Sequence, residues 1–207
     1  LLKQIGNRVD REASVMLTVA HSIASNPDVL AWSKAGADKS GERRLLNYLN
    51  DIVAFNDLTV ASFVDRTTYK YWNQDGFLRE LKNDEFDGWF FAYKNSGEPI
   101  SLSLYNEPGQ GYRLFANYQQ VDGRGMSGVA KSVDELLAII NAVKIAQTGF
   151  VFLVDGNGTI IAHPNTDILG KAKLASISEA STAGKLLNRQ DLAMATSDPD
   201  GDTQLFA

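Results

Sequence analysis

No cysteine occurs among the 207 residues, so disulfide frameworks, thiolate nucleophiles and thiolate metal sites are excluded. That absence fits a reducing compartment and equally a bacterial exterior that does without disulfides, so it does not localise the chain. Only two histidines are present, His21 and His163. His163 precedes Pro164 at a strand end with no second ligand at metal spacing, and His21 falls on the first helix as a surface or partly buried residue. There is no basic excess: 20 Lys and Arg stand against 25 Asp and Glu, a net charge of −5 with both signs interspersed. A nucleic-acid binder would show a basic stripe, so no nucleic-acid partner is expected. No apolar run approaches the roughly 20 residues that span a bilayer, and the chain opens at Leu1 inside a helical pattern, as expected of a domain excised from a longer protein. Also missing are G-x-S-x-G, H-E-x-x-H and a phosphate-cradling glycine loop, so neither an enzyme nor a bound cofactor is expected. Asp84, Glu85 and Asp87 are the one cluster suited to acid–base work. A solvated helix end is the commoner reason for such a cluster, and a hydrolase reading rests on it alone.

What is present is apolar content, 44% of the chain, enough to bury one large core or two modest ones. The change of pattern along the chain favours two. Apolar residues fall at Leu2, Ile5, Val9, Met16, Val19 and Ile23, with Glu12 filling the gap in a heptad-like alternation. Such a helix can lie along its own domain or pair with a copy of itself as a homodimer, and so short a seam is marginal alone. Asn26-Pro27 ends it, because proline disfavours helical geometry in the residue before it. Helices are then expected around Asp28 to Ser33 and Glu42 to Phe55. From Leu58 the period becomes two. LTVASFVD, the turn Arg66-Thr67-Thr68 and YKYWN read as an antiparallel hairpin closed by Gly76. FLRELKNDEFDGWFFAY mixes helix formers with aromatics and reads as a helix or helical lid. Strands follow near Ile100 to Tyr105, Tyr112 to Tyr118 and Met126 to Val133, separated by NEPGQG and DGRG turns. Ser132 or Asp134 caps a helix through Val143, and residues 149–163 form a hairpin over an Asn157-Gly158 turn.

Phe63-Val64-Asp65 is echoed 90 residues later by Leu153-Val154-Asp155, as two copies of one sheet module would be. The second copy is shorter, ends in DTQLFA and reads as cut short. Asp155-Gly156-Asn157-Gly158-Thr159 and Asp198-Pro199-Asp200-Gly201-Asp202 look like openings of calcium loops, but neither has the bidentate Glu at the twelfth position. Turn chemistry accounts for both, and no metal site is expected.

The stretch from Asp84 to Val133 sets Trp89, Phe90, Phe91 and Tyr93 beside Asp84, Glu85 and Asp87 and continues into the Tyr-bearing strands. That composition suits a pocket gripping a small polar molecule between aromatic walls, and it also suits the core of an antiparallel sheet. The candidate site residues are Trp89, Phe91, Tyr93, Tyr105 and Tyr118 as walls, with Asp87 as the charge that chooses the ligand. Asp87 has an alternative role as a cap of the lid helix.

The order of parts (long helix, sheet with an aromatic lid, linking helix, FLVDxxGxIIAHP hairpin) resembles the double Cache, or tandem PAS-like, extracytoplasmic sensor domain of bacterial transmembrane receptors. The most specific pieces are Gly149 to Pro164 and Gly128-Val129-Ala130 leading into Val133-Asp134-Glu135-Leu136. The resemblance implies an α/β fold of the α+β kind: a long N-terminal helix and two PAS-like modules with antiparallel sheets, the second cut short. It divides the chain into residues 1–57, a membrane-distal ligand-binding module over 58–133, and a membrane-proximal part over 134–207. It implies a periplasmic or extracellular sensor, part of a bacterial inner-membrane protein held by flanking transmembrane helices. Such a sensor binds a small molecule (an amine, amino acid or small organic acid) and signals to a kinase, chemotaxis or cyclic-dinucleotide output domain. The alternative is a periplasmic or secreted solute-binding or adhesion module, which a following apolar run of about 20 residues would exclude. Amino-acid-binding members carry Arg two residues before the Trp of an R-x-W-Y motif, where it grips the ligand carboxylate. This chain has Asp87 there and Phe90 in place of the Tyr. An aspartate repels a carboxylate and attracts an amine, so an amine or zwitterion is the expected ligand, with Arg79, Lys94 and Arg113 as other cations of the region.

Overall fold

The first helix, α1 (Leu2–Ala24), ends where the sequence requires. Asn26 then turns its side chain back to accept from the N–H groups of Asp28 and Val29, which caps α2 (Pro27–Lys34) with proline in the first turn. Asp38 does the same for α3 (Lys39–Asn56), accepting from Gly41 N–H at 2.8 Å. The computed structural model describes residues 2–107, 111–141, 150–178, 180–188, 195–197 and 204–206. The chain forms two units: Glu12–Tyr105 with Arg113–Lys131, and Leu1–Arg11 with Asn106–Tyr112 and Ser132–Ala207.

In the first of these, a six-stranded sheet has the order β3-β2-β1-β6-β5-β4. Its strands are β1 (Val60–Asp65), β2 (Lys70–Asn73), β3 (Gly76–Glu80), β4 (Ile100–Glu107), β5 (Gly111–Gln119) and β6 (Gly125–Ser132). The chain enters at the centre on β1, buried along its whole length, and meanders outward to β3. It crosses through helix α4 (Gly88–Ser96) to the far edge and returns to β6, which pairs antiparallel with β1. Alternation sorts the strands into two faces. One face carries Ala61, Phe63, Trp72, Ala116 and Val129 against Met16, Ala20 and Ile23 of α1, Val29 and Trp32 of α2, and Leu45 and Leu49 of α3. The other lies under α4, where Val64, Leu81, Phe90 and Met126 form a second, smaller core.

The C-terminal half of the heptad-like stripe of α1 packs on its own domain. Met16 and Ile23 are fully buried and Val19 packs against the same cluster; the side chains of Leu2 and Ile5 lie outside those described. Glu12 breaks the apolar pattern because it pairs with Lys131 at 3.5 Å, a lysine only 7% exposed. Glu12→Ala therefore leaves a buried ammonium with no carboxylate. A loss of about 1–3 kcal/mol is expected in urea melts, and a loss under 0.5 kcal/mol would show the pair to be incidental.

The expected helix over FLRELK is instead the edge strand β3, with Tyr71 opposite Arg79 and Phe77 packed on Trp72 at 5.3 Å. Gly76, at φ +147, makes the reversal that only glycine adopts freely, and pairing along β2 overrides the helix propensity of Leu78, Arg79 and Glu80. The helical lid starts only at Gly88.

In the other unit, α5 (Val133–Asn141) opens with a capping box: Ser132 Oγ accepts from Glu135 N–H, and Glu135 accepts from Ser132 N–H. The expected continuation to Val143 lies outside the described residues, as does Asp198 to Asp202. α5 packs on β8 (Ile160–Ala162), the partner of β7 (Leu153–Val154). Asp155 Oδ1 accepts from Asn157 and Thr159 N–H in the turn between them, where Gly158 takes φ +75. Two short helices, α6 (Leu174–Ile177) and α7 (Ala180–Leu187), and the pair β9 (Ala195–Ser197) with β10 (Gln204–Phe206) complete this unit.

Candidate functional site

The candidate site is the sheet face beneath and beside α4. Period-two alternation brings Ser62 of β1, Gly128 of β6, Asn117 of β5 and Ser101 and Ser103 of β4 to this face. A Cβ on Gly128 would lie 2.6 Å from Asn117 Oδ1, with Phe115 and Ser62 next nearest, so glycine at 128 leaves the room that the Asn117 amide occupies. Asn117 donates to Ser101 Oγ and Ser103 Oγ at 3.2 and 3.1 Å, and Ser62 Oγ donates to Gly128 O at 2.8 Å. The result is a floor of neutral hydrogen-bonding groups. It is closed over Val64 and Met126 by α4 and more open toward Ser103 and Tyr105.

Aromatic rings stand around this floor. Trp89, 46% exposed, meets Tyr71 edge-on at 6.2 Å, and Tyr105 meets Phe115 at 6.4 Å. Tyr93 donates its hydroxyl to Pro99 O at 3.0 Å. Burial pushes its phenol up to about 12, against the opposing pull of a bond with Ser101 and of the positive Arg66. Gln119, fully buried, donates to the carbonyls of Tyr93 and Glu98, and its Oε1 has no hydrogen-bond partner among the described residues.

Of the residues expected as walls, Trp89, Tyr93 and Tyr105 come to this face. Phe91 turns into the small core with Tyr69, at a ring distance of 5.3 Å. Tyr118 lies on the opposite face, edge-on to His21 of α1 at 4.5 Å and against the large core. A one-residue step along a strand exchanges faces, so Asn117 rather than Tyr118 looks toward α4. Asp87 is neither a free charge nor a cap. It makes no capping bond to α4, and the N–H groups of Phe86 and Asp87 donate to Asp84 instead. Asp87 is buried, 3% exposed; its Oδ1 accepts from Arg79 Nε and Nη2 at 3.0 and 2.7 Å and its Oδ2 from Lys82 N–H. Arg79 also lies over the Tyr71 ring at 5.5 Å. Its guanidinium is held more firmly protonated than usual, chiefly by the hydrogen bond to Asp87. Burial opposes this, and the charge of Asp87 with the Tyr71 and Tyr105 phenols reinforces it. Lys94 points elsewhere, donating to Arg66 O and Tyr69 Oη.

The floor residues Ser62, Ser101, Ser103, Asn117 and Gly128 were not singled out from the sequence. The usable signal was alternation: S-x-S-x-Y in β4 and R-x-F-x-N-x-Q in β5 put polar groups, with Phe115 the exception, at every second position of their strands.

No protein-family profile matches the chain. Among curated proteins it is similar to methyl-accepting chemotaxis protein TlpB of Bacillus subtilis, 28% identical over 105 residues, 50% of this chain and 16% of TlpB. The chain thus spans about a sixth of that relative's length. Among solved structures, it is similar to the ligand-binding domain of the Pseudomonas aeruginosa PAO1 amino acid chemoreceptor PctB in complex with L-Gln. That match has TM-score 0.69 and 18% identity, covering 98% of this chain and 78% of that one. It is also similar to the sensory domain of the Campylobacter jejuni chemoreceptor Tlp3 with isoleucine bound, at TM-score 0.65 and 13% identity, covering 99% of this chain and 82% of that one. The chain has the Cache-type fold of these chemoreceptor ligand-binding domains.

Proposed function

We propose that this chain is the extracytoplasmic sensor domain of a bacterial transmembrane receptor of the methyl-accepting chemotaxis type, and that it binds a small polar molecule on the α4 face of the six-stranded sheet. The observation that carries this reading is the composition of that face: a floor of serine and asparagine groups, none charged, bounded by Trp89, Tyr71 and Tyr105. A core would bury apolar groups there. Neutral donors and acceptors beside exposed rings suit a ligand with a polar end and an apolar body. The fold shared with domains whose structures contain L-Gln and isoleucine supports a ligand of amino-acid size. The domain does no chemistry of its own in this reading. Signalling requires that the ligand bind two arrangements of the domain unequally, and α1, packed along the opposite face of the same sheet, is the rigid element that would report the difference.

The purified domain should therefore be stabilised by mass action. A ligand at about 100 times its Kd adds about 2.7 kcal/mol, which for a chain of this size raises the melting temperature by roughly 5–10 °C. Screening the L-amino acids, GABA and small organic acids by thermal shift should find such a compound. Trp89→Ala and Asn117→Ala should each weaken it at least tenfold in calorimetric titration. A ligand whose affinity neither substitution alters binds elsewhere, and the reading of this face would then be wrong.

A further inference from the structure

We propose that Arg79 is the ligand-gripping cation of this site, that Asp87 is its positioning residue, and that the pair selects ligands bearing a carboxylate. This deepens the reading of the α4 face as the binding site and rests on it. From the sequence, Asp87 argues for an amine. In the structure its carboxylate has no such freedom: it is buried, one oxygen takes two guanidinium N–H groups and the other takes the Lys82 N–H. Of the two, it is Arg79 that shows its charge to solvent, its side chain 47% exposed against 5% for Asp87. A guanidinium has two edges suited to a carboxylate. Asp87 holds the Nε–Nη2 edge, which leaves the Nη1–Nη2 edge without a bond to the described residues and directed away from the buried anion. The fork is held by the two bonds to Asp87 and lies over the Tyr71 ring, 5.5 Å from its centre. A fork held in place beforehand loses little further freedom on binding, and it accepts a planar bidentate partner in one orientation. Tyr71 in turn meets Trp89, and the Tyr105 phenol lies near enough to act on the Arg79 charge, so the exposed edge opens among the rings that bound the serine and asparagine floor. Asp87 is not free to take an ammonium, because Arg79 and the Lys82 N–H already hold it, and the Arg79 charge repels one.

Matched probes test this. The L-amino acids and the straight-chain carboxylates from acetate to hexanoate are each compared with their primary amides, and with the n-alkylamines, by thermal shift and calorimetric titration on the wild-type domain. The same titrations are run on Arg79→Gln, Arg79→Lys and Trp89→Ala, each checked for native circular dichroism. The expected result is that binders are found among the free acids, that their amides bind at least tenfold more weakly, and that Arg79→Gln lowers affinity for the acid at least tenfold. Arg79→Lys, which keeps the charge and loses the fork, should fall between and remains informative if Arg79→Gln does not fold. If amides or amines bind as well as acids, or if both Arg79 variants bind the acid as the wild type does while Trp89→Ala abolishes binding, the carboxylate proposal is overturned and the α4 face stands as the site. If binding is found and none of the three variants alters it, the proposal and the site fall together. If no probe binds, both fall as well.

Discussion

Asp65→Ala is expected to lower the unfolding free energy by about 3–5 kcal/mol, a large share of the 5–15 kcal/mol typical of a folded domain. Asp65 ends β1 with no exposure. Its Oδ2 accepts from Ser33 Oγ of α2 at 2.5 Å and from Arg124, and its Oδ1 from Thr67 and Thr68 N–H at 2.7 and 3.1 Å. Truncation leaves a three-quarters-buried guanidinium, a hydroxyl and two backbone N–H groups without their acceptor, and stranded groups cost more than the pair contributed. The next residue adds to the same anchor: Arg66 Nη1 donates to the carbonyls of Gln120, Val121 and Gly123, so residues 65 and 66 together hold α2, the end of β1 and the β5–β6 turn. Urea denaturation measures the loss.

The same carboxylate fixes a pH dependence. Burial pushes the Asp65 carboxyl up, but the bonds from Ser33, Thr67, Arg124 and Thr68 outweigh it and hold the group below its ordinary 3.8. A group depressed on folding contributes stability that is fully present above its unfolded value and is lost as pH falls through the folded one. The wild type should therefore lose stability below about pH 4 by a margin that Asp65→Asn does not show. Asp65→Asn should already be destabilised at pH 7, because the amide turns donors toward donors. If the two stability-against-pH curves run parallel between pH 7 and pH 3, Asp65 is not the titrating group.

Much of this was legible from local signals. Asn26-Pro27, Ser132 as one of two expected caps and the Asn157-Gly158 turn act through neighbours within four residues, and the helix starts and the turn came out where the sequence placed them. The echo between Phe63-Val64-Asp65 and Leu153-Val154-Asp155 has a local cause too. Each aspartate stands at the end of a strand and accepts backbone N–H groups from two residues on and from three or four residues on, Asp65 from Thr67 and Thr68, Asp155 from Asn157 and Thr159. The candidate face was harder to read because its parts meet only through pairing of distant strands. Ser62 and Gly128 are joined by a bond spanning 66 residues, and nothing near either one announces the other. The attraction of aromatic residues as pocket markers also misled: Tyr118 is one step out of phase with Asn117. Arg79 and Asp87 are eight residues apart, close enough to suspect, yet the reading of 77–80 as helix put Arg79 on the wrong element and left Asp87 looking like a lone charge.

Gly125→Ala should be as damaging as the loss of Asp65, for a steric reason that contains no charge. A Cβ at Gly125 would lie 1.8 Å from the carbonyl oxygen of Ala24 and 2.8 Å from its carbonyl carbon, backbone atoms that cannot rotate aside. On one side stands the last turn of α1, where Ala20, Ile23 and Ala24 are all fully buried. On the other stands the first residue of β6, paired with Asp65 and tied to Gln120 through both its N–H and its carbonyl. The small residues Ala20, Ala24 and Gly125 let helix and strand approach this closely, and relief of the clash requires the end of α1 to lift from the sheet. Overpacking commonly costs about 1–3 kcal/mol where side chains can adjust; here only backbone can move, so a loss of about 3 kcal/mol or more, or failure to fold, is expected. Gly88→Ala is the control. It stands at the first position of α4 with open space around its would-be Cβ, and alanine's better helix propensity should leave stability unchanged or raise it by up to about 1 kcal/mol. Equal urea midpoints for the two variants would mean that α1 does not rest on β6 at this point, and the close approach of helix to sheet would have to be abandoned along with the role given to α1 in reporting the ligand.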